Sequence, residues 1–99
     1  MYAIIRDNTF DPAKLTEGRD QFAEFQAIHA RQPGYKGSII VDAGNGRQLT
    51  INLWESEEQA TAALPAMVPE VQRLLEPMMA KPSQLIATGQ VVLADLPKG

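Results

Sequence analysis

Apolar and polar residues alternate one by one through Leu49-Thr50-Ile51-Asn52-Leu53-Trp54, which is the period of a strand. Leu49, Ile51 and Leu53 go to one side, and Gln48, Thr50, Asn52 and Trp54 go to the other. The first side is a buried face. The second is amphipathic, holds the only tryptophan, and is suited to lining a pocket. Strands are also predicted over Tyr2–Thr9, Tyr35–Asp42, Arg47–Glu55 and Gln84–Ala94.

Between the strands the period changes to that of a helix. Asp11-Pro12 is a helix start, with the Asp as cap acceptor and the Pro at the first helical position. The helix is expected to run to about Arg31, burying Leu15, Phe22, Phe25 and either Ile28 or His29, and to stop at Pro33-Gly34. Ser56 and Gln59 form a capping box for a second helical region, with Ala60, Ala63, Leu64 and Met67 on one stripe. Pro65 and Pro69 interrupt it, and Val71, Leu74, Leu75 and Met78 continue it, so a kinked or two-piece helix is expected before Pro77 and Pro82. Leu96-Pro97-Lys98-Gly99 reads as a short tail.

Gly44-Asn45-Gly46 joins the second and third strands, and Asn-Gly is a strong hairpin signal. A two-residue turn at Asn45-Gly46 pairs Ile40 with Ile51, Ile39 with Asn52 and Gly37 with Trp54; a bulge at Gly44 shifts this register by one. The loop lacks the strand-to-helix context of a phosphate site.

The order βαββαβ predicts an α+β, ferredoxin-like domain over 1–99, with a four-stranded antiparallel sheet and two helices on one face. The other sheet face is expected to be open. The assignments put Tyr2, Ile4, Arg6 and Asn8 there, with Gly37, Ile39 and Val41, Thr50, Asn52 and Trp54, and Thr88, Gln90 and Val92. A homodimer with these faces together would cover them and enclose a cavity in each subunit.

Composition narrows the partners. The chain has 99 residues, 44% hydrophobic, with net charge -3 and no basic cluster, which disfavours nucleic acid and anionic membranes. No segment reaches the ~20 apolar residues of a membrane span. The absence of cysteine excludes disulfides and thiolate sites, and the N-terminus lacks a signal-peptide pattern, so a cytoplasmic setting is expected. One histidine without a clear carboxylate spacing gives no metal-ligand set.

The "QPGYKGS" passage, the "D-x-G-N-G-R" turn and above all "LWESEEQA" resemble the antibiotic biosynthesis monooxygenase family of dimeric α+β barrels. The resemblance implies a dimer with a small hydrophobic or aromatic ligand. Haem-degrading members use an Asn near the end of the first strand, a Trp on the third and an iron-binding His on the second helix. Asn8 and Trp54 match by position, but the only histidine, His29, lies on the first helix, which speaks against haem. Cofactor-free members combine an Asn, a Trp and sometimes a Tyr around a substrate that itself supplies electrons to oxygen. For this chemistry the resemblance implies Asn52 and Trp54 as catalytic residues, with Asn8 an equal candidate to Asn52, and no cofactor. Asn52 or Asn8 would hydrogen-bond the developing enolate or peroxy oxygen, Trp54 would stack on the ring, Arg6 would stabilise the anion and Tyr35 would assist. No convincing strong base stands in this group.

Each residue also has a plainer role. Trp54 serves as packed aromatic bulk, Asn52 as a strand-to-strand hydrogen bond, and Arg6 as a partner of Asp7 or of another subunit's carboxylate. His29 borders either the core or the cavity mouth, where it would act as ligand contact or proton shuttle. Glu55, Glu57 and Glu58 are explained by the dipole of the helix they open. Two functions follow: a cofactor-free monooxygenase of quinol- or anthrone-like aromatics, or a non-catalytic dimeric binding or interaction module. An open cavity containing Asn52, Trp54 and Arg6 favours the first, and one filled by Tyr2, Ile39, Val41 and Trp54 the second.

Overall fold

The computed structural model describes residues 1–96, so the expected tail lies outside the described residues from position 97 onward. In chain order the elements are β1 (Tyr2–Thr9), α1 (Pro12–Glu17), α2 (Arg19–Ala30), β2 (Tyr35–Gly44), β3 (Arg47–Trp54), α3 (Glu57–Ala62), α4 (Leu64–Glu70) and β4 (Gln84–Gln90). The strands form one antiparallel sheet in the order β2-β3-β1-β4, which is the ferredoxin-like α+β arrangement. β4 is shorter than expected, and Val92 and Leu93 beyond it are exposed.

The caps act as their sequence suggests. The Asp11 carboxylate accepts from the backbone N–H groups of Ala13 and Lys14 at 2.9 and 3.3 Å, and Ser56 Oγ accepts from the N–H of Gln59 at 3.2 Å. The expected first helix is divided at Gly18, where a Cβ would lie 2.0 Å from Met78 Sδ. Gly18 packs against the flexible Met78 side chain, and glycine weakens the helix. After α4, which contains Pro69, the chain continues as a π-helical turn over Val71–Leu75 and a 3₁₀ turn over Glu76–Met78. The expected kinked helix is therefore a series of short pieces, because each proline removes a backbone donor from the ladder.

The β2–β3 hairpin turns at Asn45-Gly46, with φ of 56° and 82°, as a turn with two left-handed central residues requires. A bulge between Asp42 and Gly44 pairs Ile39 with Ile51 and Ile40 with Thr50. The simple two-residue register does not form, and the shifted one does. A second bulge, between Tyr35 and Gly37, sets Tyr35 opposite Trp54 and Ser38 opposite Asn52. Gly37 thus pairs with Leu53 and gives the indole no space of its own.

The main correction concerns the two faces of the sheet. Tyr2, Ile4 and Trp54 pack with Ala60, Ala63 and Met67 of the helical layer, so the amphipathic face is the covered one. Arg6, Asn8, Thr50 and Asn52 line the space beneath the helices. Thr88 and Gln90 pair with Ile4 and Tyr2 at the edge of this face, and of the set expected outside only Gly37, Ile39 and Val41 lie there. The outer face carries Ala3, Ile5, Leu49, Ile51 and Leu53 beside Ile39 and Val41. Alternation sorts residues into two faces without saying which receives the helices. Here the helices bring the bulk, with Phe22, Phe25, His29 and Met67, and the sheet contributes the smaller polar groups.

Beneath the helices lie two buried clusters. One gathers Tyr2, Trp54, Ala60, Ala63 and Met67, and the other Phe10, Leu75 and Met78, with Phe25 packed against both.

Candidate functional site

Between the sheet and the helices lies a cavity of about 280 Å³. Its floor is Ile4, Arg6 and Asn8 of β1, Ile40 of β2, and Gln48, Thr50, Asn52 and Trp54 of β3. Phe22, Phe25, Gln26 and His29 of α2 form one wall. Ala60, Ala63, Met67 and the π turn residues Val71, Gln72 and Leu75 form the roof. The cavity is formed within a single chain and does not require a second sheet to enclose it, contrary to the expectation from sequence.

Five of the six residues singled out from the sequence, Arg6, Asn8, His29, Asn52 and Trp54, are in this lining. Tyr35 stands behind it. Its ring meets that of His29 at a centroid distance of 4.7 Å and that of Trp54 edge-on at 5.7 Å. Trp54, 3% exposed, also lies 5.5 Å from the His29 ring, so its packing role and its place at the cavity are the same contact.

A hydrogen-bonded chain orients Asn52. The Ser38 hydroxyl donates to Asn52 Oδ1 at 2.7 Å, and the Tyr35 and Ser38 hydroxyls are 2.6 Å apart. Ser38 has one proton, so donation to Asn52 makes Tyr35 the donor to Ser38. With Oδ1 engaged, Asn52 has its NH₂ group to offer a ligand. The bulge makes this possible, since Tyr35 and Ser38 are three apart in sequence and would point to opposite faces of a regular strand. Ser38 was missed from the sequence, and its only signal was register with Asn52.

Other polar groups are without protein partners. Asn8 Oδ1, Gln48 Oε1 and His29 Nδ1 are buried and make no hydrogen bond among the described residues. Asn8 and Gln48 face each other across β1 and β3. His29, 6% exposed among Phe25, Tyr35 and Trp54, is held below the ordinary histidine pKa by burial. Burial thus favours its neutral imidazole at the cavity lining, one of the two places the sequence allowed for it. The signal was its spacing after Phe22 and Phe25, which placed it equally well in the core.

Arg6 does not pair with Asp7. Asp7 points to the other face, where Arg47 holds it with Nη2 to Oδ2 at 2.8 Å and keeps its carboxyl below the usual range. The Arg6 guanidinium donates instead to Ser83 Oγ at 3.4 Å.

No protein-family model matches the sequence, and comparison with curated proteins finds no match. Solved structures match its fold over nearly the whole chain. A Nitrosomonas europaea protein, provisionally named an antibiotic biosynthesis monooxygenase, has TM-score 0.76 at 14% identity, over 94% of this chain and 100% of that one. One from Bordetella bronchiseptica, under the same provisional name, has TM-score 0.74 at 19% identity, over 93% and 97%. SnoaB, a cofactor-independent oxygenase from Streptomyces nogalater crystallised as an Asn-to-Ala variant, has TM-score 0.70 at 21% identity, over 92% and 95%. The chain therefore has the fold of structures that bear the antibiotic biosynthesis monooxygenase name, as the sequence resemblance implied.

Proposed function

We propose that this chain, built on the fold of the antibiotic biosynthesis monooxygenases, is a homodimeric, cofactor-independent monooxygenase that oxidises a quinol- or anthrone-like aromatic with O₂. The observation that carries the reading is an open cavity with Arg6, Asn52 and Trp54 in its wall and the Asn52 amide already oriented by Ser38. Of the four residues that would have filled the cavity of a purely structural module, Tyr2 and Trp54 do pack under the helices, whereas Ile39 and Val41 lie on the outer face and leave space above Asn52.

The chemistry is balanced without an added reductant. An anthrone-type carbon, R₂CH₂, loses a proton to give a carbanion, which transfers an electron to O₂. Recombination of the radical pair forms a C–O bond, and protonation followed by loss of water gives R₂C=O. The sum is R₂CH₂ + O₂ to R₂C=O + H₂O. In this scheme His29 takes the proton, because burial keeps its imidazole neutral. The Asn52 NH₂ group donates to the enolate or peroxide oxygen, and Asn8, four residues along the sheet, offers a polar contact at the far end of the cavity. Trp54 stacks on the ring, Arg6 favours the anionic form, and Tyr35 acts through Ser38 and through its contact with His29.

The outer sheet face supplies the dimer surface in this reading. Ile39 and Val41 are 42% and 48% exposed, and they adjoin Ile51 and Leu49 on that face. A second copy of the same face would cover them.

Oxygen consumption with hydroquinones, naphthoquinols and anthrones, with metal chelator throughout, tests the activity. Chelator-resistant uptake above the autoxidation blank is expected, falling in folded Asn52→Ala and Trp54→Phe variants. Uptake that is absent with every substrate, or unchanged in both variants, would remove the oxygenase reading at this site.

A further inference from the structure

Arg6 is a cation placed against a largely apolar cavity. It stands on the helix-covered face of β1, opposite Thr50, and among the described residues it forms no ion pair. Its neighbour Asp7, the obvious counter-charge, is turned to the outer face and clamped by two nitrogens of Arg47. What Arg6 has is a single long hydrogen bond to the Ser83 hydroxyl. A guanidinium carries five donors in a planar fork, and desolvating it without an acceptor is costly. An anion with two oxygens in one plane meets that need.

We propose that the ligand of this cavity is an aromatic carboxylate whose carboxyl group is taken by Arg6 while its ring lies over Asn52 and Trp54. The register sets the scale. Arg6 is level with Thr50, two residues along the sheet from Asn52 and four from Trp54, which is about 7 and 13 Å at strand spacing. A fused-ring carboxylate spans that interval, with its reacting carbon near Asn52 and its charge at Arg6. Glu76 lines the same cavity, so a single negative charge is accommodated better than several. With a net charge of -3, the molecule offers an anion no general attraction, and recognition has to come from this one guanidinium. Asn8 and Gln48, on the side of Arg6 away from Asn52, supply amide groups for the second carboxylate oxygen.

This inference rests on the reading of the cavity as a substrate site, and it names the substrate's charge. Calorimetric titration of the folded protein with naphthoate and with naphthamide separates the two. The rings are the same and the shapes nearly so, but only naphthoate is charged, and neither is oxidised. Naphthoate is expected to bind about tenfold more tightly, the worth of one charge-assisted pair in a partly desolvated site. In Arg6→Gln the difference should vanish through loss of naphthoate affinity, with naphthamide unchanged. Arg6→Lys should keep part of the preference, since it retains the charge without the fork. Equal binding of the two by the native protein, a preference that survives Arg6→Gln, or no binding of either would overturn the proposal. Oxygen uptake plays no part in the titration. A carboxylate preference in a protein that consumes no oxygen with any aromatic would keep this inference and discard the oxygenase. Chelator-resistant uptake on neutral quinols without a carboxylate preference would do the reverse.

Discussion

At the scale of single residues, the site depends on neighbours that fix orientation and protonation. Ser38 holds the Asn52 carbonyl, so Ser38→Ala leaves the amide free to rotate. A fall in kcat of about fivefold is expected, from a hydrogen bond worth roughly 1 kcal/mol that acts on the reacting atoms, with stability nearly unchanged. Unaltered oxygen uptake in this variant would show that the Tyr35–Ser38 chain is only structural. His29 makes a separate prediction through pH. Its native pKa is lowered by burial, so between that value and the ordinary value near 6.5 the unfolded chain binds the extra proton and the native one does not. Stability due to the neutral ring is fully present above about pH 6.5 and declines as pH falls through this window. Urea denaturation at a series of pH values should show the decline in the native protein and a flatter profile in His29→Phe. Parallel profiles would assign the pH dependence to other groups. Asp7, lowered by Arg47, contributes with the same sign but in the more acidic carboxylate range.

At the scale of elements, turns and breaks place these residues. The bulge near Lys36 restores Tyr35 and Ser38 to one face, and that near Ala43 puts Ile40 rather than Ile39 under the helices. The hairpin between β2 and β3 is closed tightly against Phe10, whose N–H donates to Gly46 O at 2.8 Å. A Cβ on Gly46 would lie 2.1 Å from Phe10 O, on a residue with φ of +82°. Gly46→Ala is therefore expected to destabilise the protein by about 1–3 kcal/mol, read as a lower urea midpoint at an unchanged slope. An unshifted midpoint would mean that the turn does not constrain register. The capping residues and Asn45-Gly46 were legible in the sequence because their chemistry is local. The packing of Gly18 against Met78 was not, because the two lie sixty residues apart.

At the scale of the whole molecule, the two faces of the sheet divide the work. The covered face is polar enough to hold a ligand, and the outer one is apolar enough to hold another sheet. Ile51 sits between Ile5 and Ile39 on the outer face, so Ile51→Lys places a charge at its centre. Light scattering at micromolar concentration should find the native protein a dimer and this variant a monomer with its helical content retained. A native protein that is monomeric, or a variant that stays dimeric, would remove this face as the association surface. Nothing in the cavity is contributed from across that face, so a folded monomer should still bind an aromatic carboxylate.

The sequence by itself determined what depends on neighbours in the chain: strand and helix periods, the Asp11 and Ser56 caps, the Asn45-Gly46 turn and hence the βαββαβ order. It also sorted Asn52 with Trp54 and Arg6 with Asn8, because alternation is a property of one strand. Tertiary structure decided the rest. Which face the helices cover is set by how they cross the sheet and by the volume of Phe22, Phe25 and Met67, and no strand carries that information. The more apolar face was the natural choice for the core, yet it is the one turned outward. Bulges moved the register of β2, joining Ser38 to Asn52, and the fold gave Asp7 its partner Arg47 from forty residues along the chain. Alternation is local, whereas burial, pairing and the charge left unpaired in a cavity are sums over the folded chain.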